Sequence, residues 1–232
     1  MKLQRSCYVR ILNEFEEILL QKYQQRNIER EEAILWRGKE DVFKARFSTK
    51  DTWNHIRTSS NQRAWHTGVW FAHATPKFSF CAWLAVRNRL SMVDRMMTWN
   101  NGTPTTCVFC SSPMETRDHL FFQCCYSSEI WTSIAKNVYK DRFSTKWSAV
   151  VNYISDSQPD RIQSFLSRYT FQVSIHSIWR ERNSRRHGEK SRSASNLIRQ
   201  IDKTIRNQLS TIKKKGDLRL EKGLQVWFDM RP

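Results

Sequence analysis

Four side chains within eighteen residues constrain this chain more than anything else in it. They are Cys107, Cys110, His119 and Cys124, spaced C-x2-C-x8-H-x4-C. Thiolate sulfur and imidazole nitrogen are the donors that close a tetrahedral shell around zinc, and four protein donors leave no open position. The pattern therefore points to one structural Zn2+. The two residues between Cys107 and Cys110 let a tight turn aim both sulfurs at one point. The second pair lies in the apolar run His119-Leu120-Phe121-Phe122-Gln123-Cys124. Residues five apart on a regular α-helix are separated by about 140° around its axis. His119 and Cys124 thus reach one ion only if the helix starts, ends or bends between them, and a break is expected there. Cys125 adjoins Cys124, so either could be the fourth donor; Cys124 holds the spacing.

Other uses of these residues stay open at this point. The four side chains could be unligated, with Cys124 simply buried under Phe121 and Phe122. A disulfide from Cys107 to Cys110 or Cys124 belongs in an oxidising compartment, and nothing marks the chain as secreted. A cysteine with His119 as its base, or a redox dithiol at C-x2-C, would make an enzyme. Four donors at metal spacing account for the same residues with no base to spare.

The formal net charge is +17 over 232 residues, and the pI is about 10.0. A balance this basic favours a polyanionic partner, nucleic acid before others. Residues 141–232 hold 19 Lys and Arg against 9 Asp and Glu, so most of the excess follows the cysteine cluster. Ten tryptophans and 39% hydrophobic residues are too much for a disordered chain. No apolar run reaches eighteen residues and no signal-peptide core opens the chain, so no membrane association is expected. The expectation is an intracellular protein, in the nucleus rather than the cytoplasm.

The periodicity predicts helices. Leu12, Phe15, Leu19 and Tyr23 mark one over residues 12–36. Phe43, Ala45 and Phe47 alternate as a short strand, after which Ser48 or Thr49 can cap a helix holding Trp53 and Ile56. Pro76 suits the first turn of a helix reaching Leu90, with Phe80, Trp83, Leu84 and Val86 as a wide buried stripe. Shorter helices are expected over residues 92–99 and 129–139. Residues 161–180 and 195–212 step their apolar side chains by three or four, and Arg180–Arg192 forms a basic run. Most of the tryptophans are expected in the core.

Trp70, Pro76-Lys77, Trp83-Leu84, Arg89-Leu90 and Asp94-Arg95, followed by the Cys107/Cys110 pair, Glu115-Thr116, Asp118-His119-Leu120-Phe121 and Cys124, stand in a recognisable order. This set resembles the reverse-transcriptase zinc-binding domain of plant LINE-type (non-LTR) retroelements, over about residues 43–132. The resemblance implies a zinc module that lies downstream of a polymerase in a polyprotein. The Trp179-x2-Arg182-Asn183 segment also resembles what often follows it. Met96 departs from the leucine usual there. No Tyr-x-Asp-Asp pair is present to hold the two Mg2+ of a polymerase, so catalysis is not carried over.

The resulting expectation is a mainly α protein: an N-terminal helical segment (1–42), a zinc-stapled domain (43–132) and a basic helical region (133–232). It would be non-catalytic, a retroelement remnant binding RNA or single-stranded DNA. The basic side chains expected to contact it are Arg87, Arg89, Arg95, Arg117, Arg180, Arg182, Arg185 and Arg186. The alternative is a zinc-stabilised scaffold for a protein partner, built on apolar faces over residues 161–180 and 195–212.

Overall fold

The computed structural model describes residues 17–18, 20–21, 34–37, 41–58, 61–97 and 105–231. It is mainly helical and divides into two compact units, Met1–Asn61 and Gln62–Pro232. Most of the helix expected over residues 12–36 lies outside the described residues, as do Trp99 and the Asn101-Gly102 stop. At its end the expectation fails. Trp36 and Arg37 form strand β1 (Trp36–Arg37), antiparallel to β2 (Phe43–Lys44), with Trp36 opposite Lys44 and Arg37 opposite Phe43.

In the first unit β2 leads into α1 (Thr49–Ile56). Ser48 is its N-cap, the side-chain oxygen accepting from the Asp51 N–H at 3.2 Å, which satisfies one of the donors a helix start leaves unpaired. The described side chains here stay largely in solvent: Trp36, Phe43, Phe47, Trp53 and Ile56 are all exposed.

The second unit is organised around one long helix. Its elements in order are α2 (His66–Val69), α3 (Pro76–Val86), α4 (Val93–Met96), a π-helical turn (His119–Gln123), α5 (Cys125–Tyr139), α6 (Trp147–Ser155), α7 (Arg161–Arg186), α8 (Ala194–Lys214) and α9 (Gly223–Asp229). Helix α7 packs against α2, α3, α5, α6, α8, α9 and the π turn. Over Phe165–Ile178 nearly every side chain is buried, whichever way it faces. A helix surrounded in this way must be apolar or small all round. Phe165, Leu166, Tyr169, Phe171, Val173, Ile175 and Ile178 supply bulk, while Ser167, Thr170, Ser174 and Ser177 let neighbours come close. Buried Gln172 is held from both ends: Ser79 donates to its Oε1 at 3.3 Å, and its Nε2 donates to Val69 O at 2.7 Å.

Caps fix the ends. Asp160 accepts from Ile162 N–H at 2.8 Å to start α7, and Ser193 from Asn196 N–H at 3.3 Å to start α8. Gly216, at φ +74°, closes α8 in the left-handed conformation a helix C-terminus favours. The stripe expected on α8 from Ile198, Ile201, Ile205, Leu209 and Ile212 holds with one shift: Leu197 takes the buried place of Ile198, which is half-buried, while Arg199 and Lys203 face solvent and Arg206 is half-buried.

The stripe expected on α3 is offset. Phe80 is 54% exposed, and the buried face is Phe78, Ser79, Cys81, Ala82 and Ala85. Ser79, Ala82 and Ala85 let α3 lie close on α7, while Phe80 and Trp83 sit at its flank. The helix stops at Val86, with Asn88 left-handed at φ +50° and Arg89 N–H bonded to Leu84 O. Helix α6, between the zinc segment and α7, and helix α9 are additions to the expected elements. Trp147, Val150 and Ile154 bury the first, and Trp227 the second. Of the nine described tryptophans, Trp131, Trp147 and Trp227 are buried, while Trp36, Trp53 and Trp70 are exposed. Among the described residues no helix is long and apolar enough to cross a membrane.

The α2–α6 contact depends on a missing side chain. A Cβ on Gly68 would lie 2.9 Å from Ile154 Cγ1, 3.0 Å from Ile154 O and 3.1 Å from its carbonyl carbon. Two of those atoms are backbone and cannot step aside. Gly68→Ala is expected to cost about 1–3 kcal/mol, the usual range for overpacking. It should lower the urea midpoint while leaving the slope unchanged; an unshifted midpoint would mean the helices separate freely.

Candidate metal centre

The chain around Cys107 folds into a knuckle. Ser111 N–H donates to Cys107 O at 2.8 Å and Cys107 N–H to Ser112 O at 2.9 Å, with Ser111 left-handed at φ +61° at the reversal. Thr105 O accepts from Glu115 N–H at 3.2 Å, so the two arms run side by side. This places Cys107 and Cys110 on one side of a tight turn.

The other two donors are brought round by the π turn. Cys124 N–H bonds to His119 O at 2.8 Å, a step of five residues in place of four. An i→i+5 bond widens the turn. It removes much of the angular offset that a regular helix would leave between residues five apart. Cys124 then takes an extended conformation (φ −63°, ψ 137°) and serves as N-cap of α5. The break expected between His119 and Cys124 is therefore an inserted residue followed by a helix boundary. Leu120, Phe121 and Phe122, all fully buried, anchor the turn: Phe122 lies 4.7 Å from Trp131 and 5.5 Å from Trp147, ring centre to ring centre.

The outcome is a compact cluster. The donor atoms of Cys107, Cys110, His119 and Cys124 all lie within 4.8 Å of one another. Cys110 Sγ is 3.2 Å from His119 Nε2 and Cys107 Sγ is 3.9 Å from Cys124 Sγ. Zn–S near 2.3 Å and Zn–N near 2.0–2.1 Å at tetrahedral angles imply edges of about 3.8 Å for S···S and about 3.6 Å for S···N. Those two edges bracket the required lengths, so the donor set fits zinc with small adjustments. Cys125, by contrast, is exposed on α5 and outside the cluster. None of the described cysteines is in a disulfide.

The site is also electrically prepared. The hydrogen bond with Cys124 is the main influence drawing the Cys107 thiol down to about 4; burial opposes it, and the Phe109 and Cys110 backbone N–H groups and His119 assist. The same sulfur pair pushes Cys124 up, reinforced by burial. Two sulfurs 3.9 Å apart repel as thiolates, and a cation held between them relieves that repulsion. Three thiolates and a neutral imidazole around Zn2+ would carry a net charge of −1. Arg186 lies near enough to be influenced by the charge of Cys107.

Behind the knuckle stands a buried network that the sequence alone did not suggest. Glu115 is 0% exposed, and its Oε1 accepts from Arg182 Nε at 3.0 Å and Nη2 at 2.5 Å, with Arg186 Nη2 at 3.8 Å. Glu181, also 0% exposed, accepts from Arg185 Nε, Arg192 Nε and Arg192 N–H, each at 2.9 Å. Burial works to raise the Glu181 carboxyl, but these hydrogen bonds and charges together leave it below its ordinary value. Arg185 also lies over Phe109 of the knuckle and Tyr126 of α5, at 4.9 and 4.3 Å.

The arginines expected at a nucleic-acid surface therefore divide. Arg87, Arg89 and Arg180 are exposed. Arg95 donates to Asn88 O at 2.8 Å, and Arg117 pairs with Asp118 at 2.9 Å while lying over Trp147. Arg182 is buried against Glu115, Arg185 is committed to Glu181, and Arg186 is turned towards Glu115 and Cys107. The acidic partners of this run are Glu181 inside it and Glu115 between the ligand pairs. Glu115, set between the zinc-spaced donors, and Arg182, within the Trp179-x2-Arg182-Asn183 segment, are each legible in the sequence, but their pairing is not.

Residues 47–131 match the family described as zinc-binding in reverse transcriptase. The match covers all four donors, the knuckle and the π turn. No curated protein and no solved structure matches the chain. Family match and geometry converge on the same residues: the stretch that is similar to the zinc-binding domain of reverse transcriptases holds three cysteines and one histidine that suit a single zinc ion.

Proposed function

We propose that this protein is a non-catalytic, zinc-stapled nucleic-acid-binding protein descended from the polyprotein of a plant LINE-type retroelement, acting in the nucleus on RNA or single-stranded DNA. The observation that carries the reading is the charge left over after the buried pairs are counted. Glu115 and Glu181 absorb Arg182, Arg185 and Arg192. Arg87, Arg89, Arg180, Arg199, Lys203 and the Lys213-Lys214-Lys215 run remain exposed on a chain of net charge +17. Exposed cations neutralise phosphates and release counterions. The exposed Trp36, Phe43, Phe47 and Trp53 of the first unit, interleaved with Arg46 and Lys50, also suit stacking on unpaired bases. A structural zinc with four protein ligands leaves no position for a reacting water, in keeping with a binding role. The scaffold alternative drew on apolar faces over residues 161–180 and 195–212, and those faces are buried in the core of the second unit.

The test is fluorescence anisotropy with a labelled single strand at two salt concentrations. With about four phosphates neutralised, affinity should fall about fiftyfold between 50 and 200 mM salt. Absence of binding at low salt, or binding unmoved by salt, would overturn the reading. A protein partner retained after nuclease treatment would favour the scaffold.

A further inference from the structure

Two adjoining cavities open at the start of α7. One, of about 180 Å3, lies between the loop holding Phe71 and His73, the first turns of α7, and the loop between α8 and α9 that supplies Asp217 and Arg219. The second, of about 260 Å3, is walled by Ser157, Gln158 and Pro159 ahead of the helix. Arg161, Ser164 and Arg168 line both. They recur at three and four residues, so they share one face of α7. Arg219 adds another guanidinium to the first cavity.

These groups differ from the arginines behind the knuckle. Arg168 is fixed, donating through Nε to Ile154 O at 2.8 Å and through Nη2 to Asp156 O at 3.2 Å, so it closes the C-terminus of α6. A guanidinium carries five N–H donors, and the remainder of its fork is free to serve a ligand. Arg161 and Arg219 are exposed. The only carboxylate on the walls, Asp217, is already paired: its Oδ2 lies 2.8 Å from His73 Nε2, and its Oδ1 accepts from Arg219 N–H at 3.0 Å. Gln158 contributes a buried Oε1 with no hydrogen-bond partner, while its Nε2 is held by Tyr153 O at 3.3 Å. The lining therefore joins three guanidinium groups to the hydroxyl of Ser164. A sugar–phosphate unit has the matching chemistry: anionic oxygens beside a hydroxyl that can donate. The loop carrying Arg219 follows directly on Lys213-Lys214-Lys215, so the cavities border a wider cationic run.

We infer that these paired cavities seat a backbone phosphate of a nucleic-acid strand against Arg161, Arg168 and Arg219, making the start of α7 an anchor point for the strand. This rests on the nucleic-acid reading above. The test compares the full-length, zinc-loaded wild type with Arg161→Ala/Arg219→Ala and with a control of equal charge loss, Lys136→Ala/Arg142→Ala, at exposed positions outside both cavities. The probe is a fluorescein-labelled oligouridylate of about 20 nucleotides, read by anisotropy across a salt series. Losing the grip on that one phosphate should weaken binding about fivefold and reduce the salt slope by about 0.7, whereas the control should change affinity less than about twofold. Both variants alter exposed side chains and should melt with the wild type; Arg161→Gln alone gives a milder check with the same direction. Equal losses in the two double variants, or none in either, would overturn the anchor while leaving nucleic-acid binding intact. A wild type that binds no strand would overturn the functional reading itself.

Discussion

Replacing Cys110 by serine is expected to cost the protein its zinc and to loosen residues 105–125. Cys110 Sγ sits 3.2 Å from His119 Nε2, so it closes the edge of the cluster that joins the knuckle to the π turn. A serine hydroxyl is a poor zinc ligand beside thiolates, and three donors cannot fill a structural site. In small zinc peptides the ion contributes an apparent 10–16 kcal/mol or so of folding free energy, against about 5–15 kcal/mol of total stability for an ordinary domain. Even a fraction of that exceeds what Thr105 O, Ser111 N–H and Ser112 O supply through three backbone hydrogen bonds. Native mass spectrometry should show one zinc per wild-type chain and none per Cys110→Ser chain. Cys125→Ser should keep its ion, since that thiol is exposed and outside the cluster.

The loss should also be local. The packing of α7 against α5 and α8 rests on apolar burial, with Ile201, Ile205, Leu209 and Ile178 fully or almost fully out of water. Hydrogen exchange should accelerate over residues 105–125 while the α8 amides stay protected, the pattern of sub-global opening. A wild type purified without metal, or a Cys110→Ser chain that retains it, would remove the basis of the zinc assignment.

What the sequence disclosed followed the range of the interactions involved. The donor spacing is local, and so are the Ser48 cap, Pro76 in the first turn of α3 and the apolar stripe of α8; all are legible residue by residue. The five-residue step from His119 to Cys124 could be seen as a problem, but not its solution, because a π turn is chosen by the burial of Leu120, Phe121 and Phe122 and has no periodicity of its own. The full burial of α7 is hidden in the sequence because Ser167, Thr170, Ser174 and Ser177 are buried without being apolar. The run Arg180–Arg192 read as a basic surface since charge is visible in a sequence and pairing across 67 residues is not.

That distant pairing gives the second large effect. Arg182→Ala is expected to destabilise the protein by about 3–5 kcal/mol, the usual cost of breaking a buried ion pair from one side. Both Arg182 donors converge on Glu115 Oε1, while Glu115 Oε2 is buried with no hydrogen-bond partner. Without Arg182 the carboxylate keeps, among the described residues, the Arg186 guanidinium, whose Nη2 lies 3.8 Å from Oε1. Most of the cost is thus the stranded charge and not the lost attraction. Glu115→Met/Arg182→Met removes both charges and should recover much of the stability in urea unfolding. Two further readouts separate this role from a surface one. Glu115 is tied by its N–H to Thr105 O beside the knuckle, so zinc retention under a chelator should fall with Arg182→Ala. The salt slope of strand binding should hardly move, because a guanidinium that is 4% exposed contributes no phosphate contact. A stable Arg182→Ala chain with a reduced salt slope would place Arg182 at the nucleic-acid surface and dissolve the buried network as a structural support.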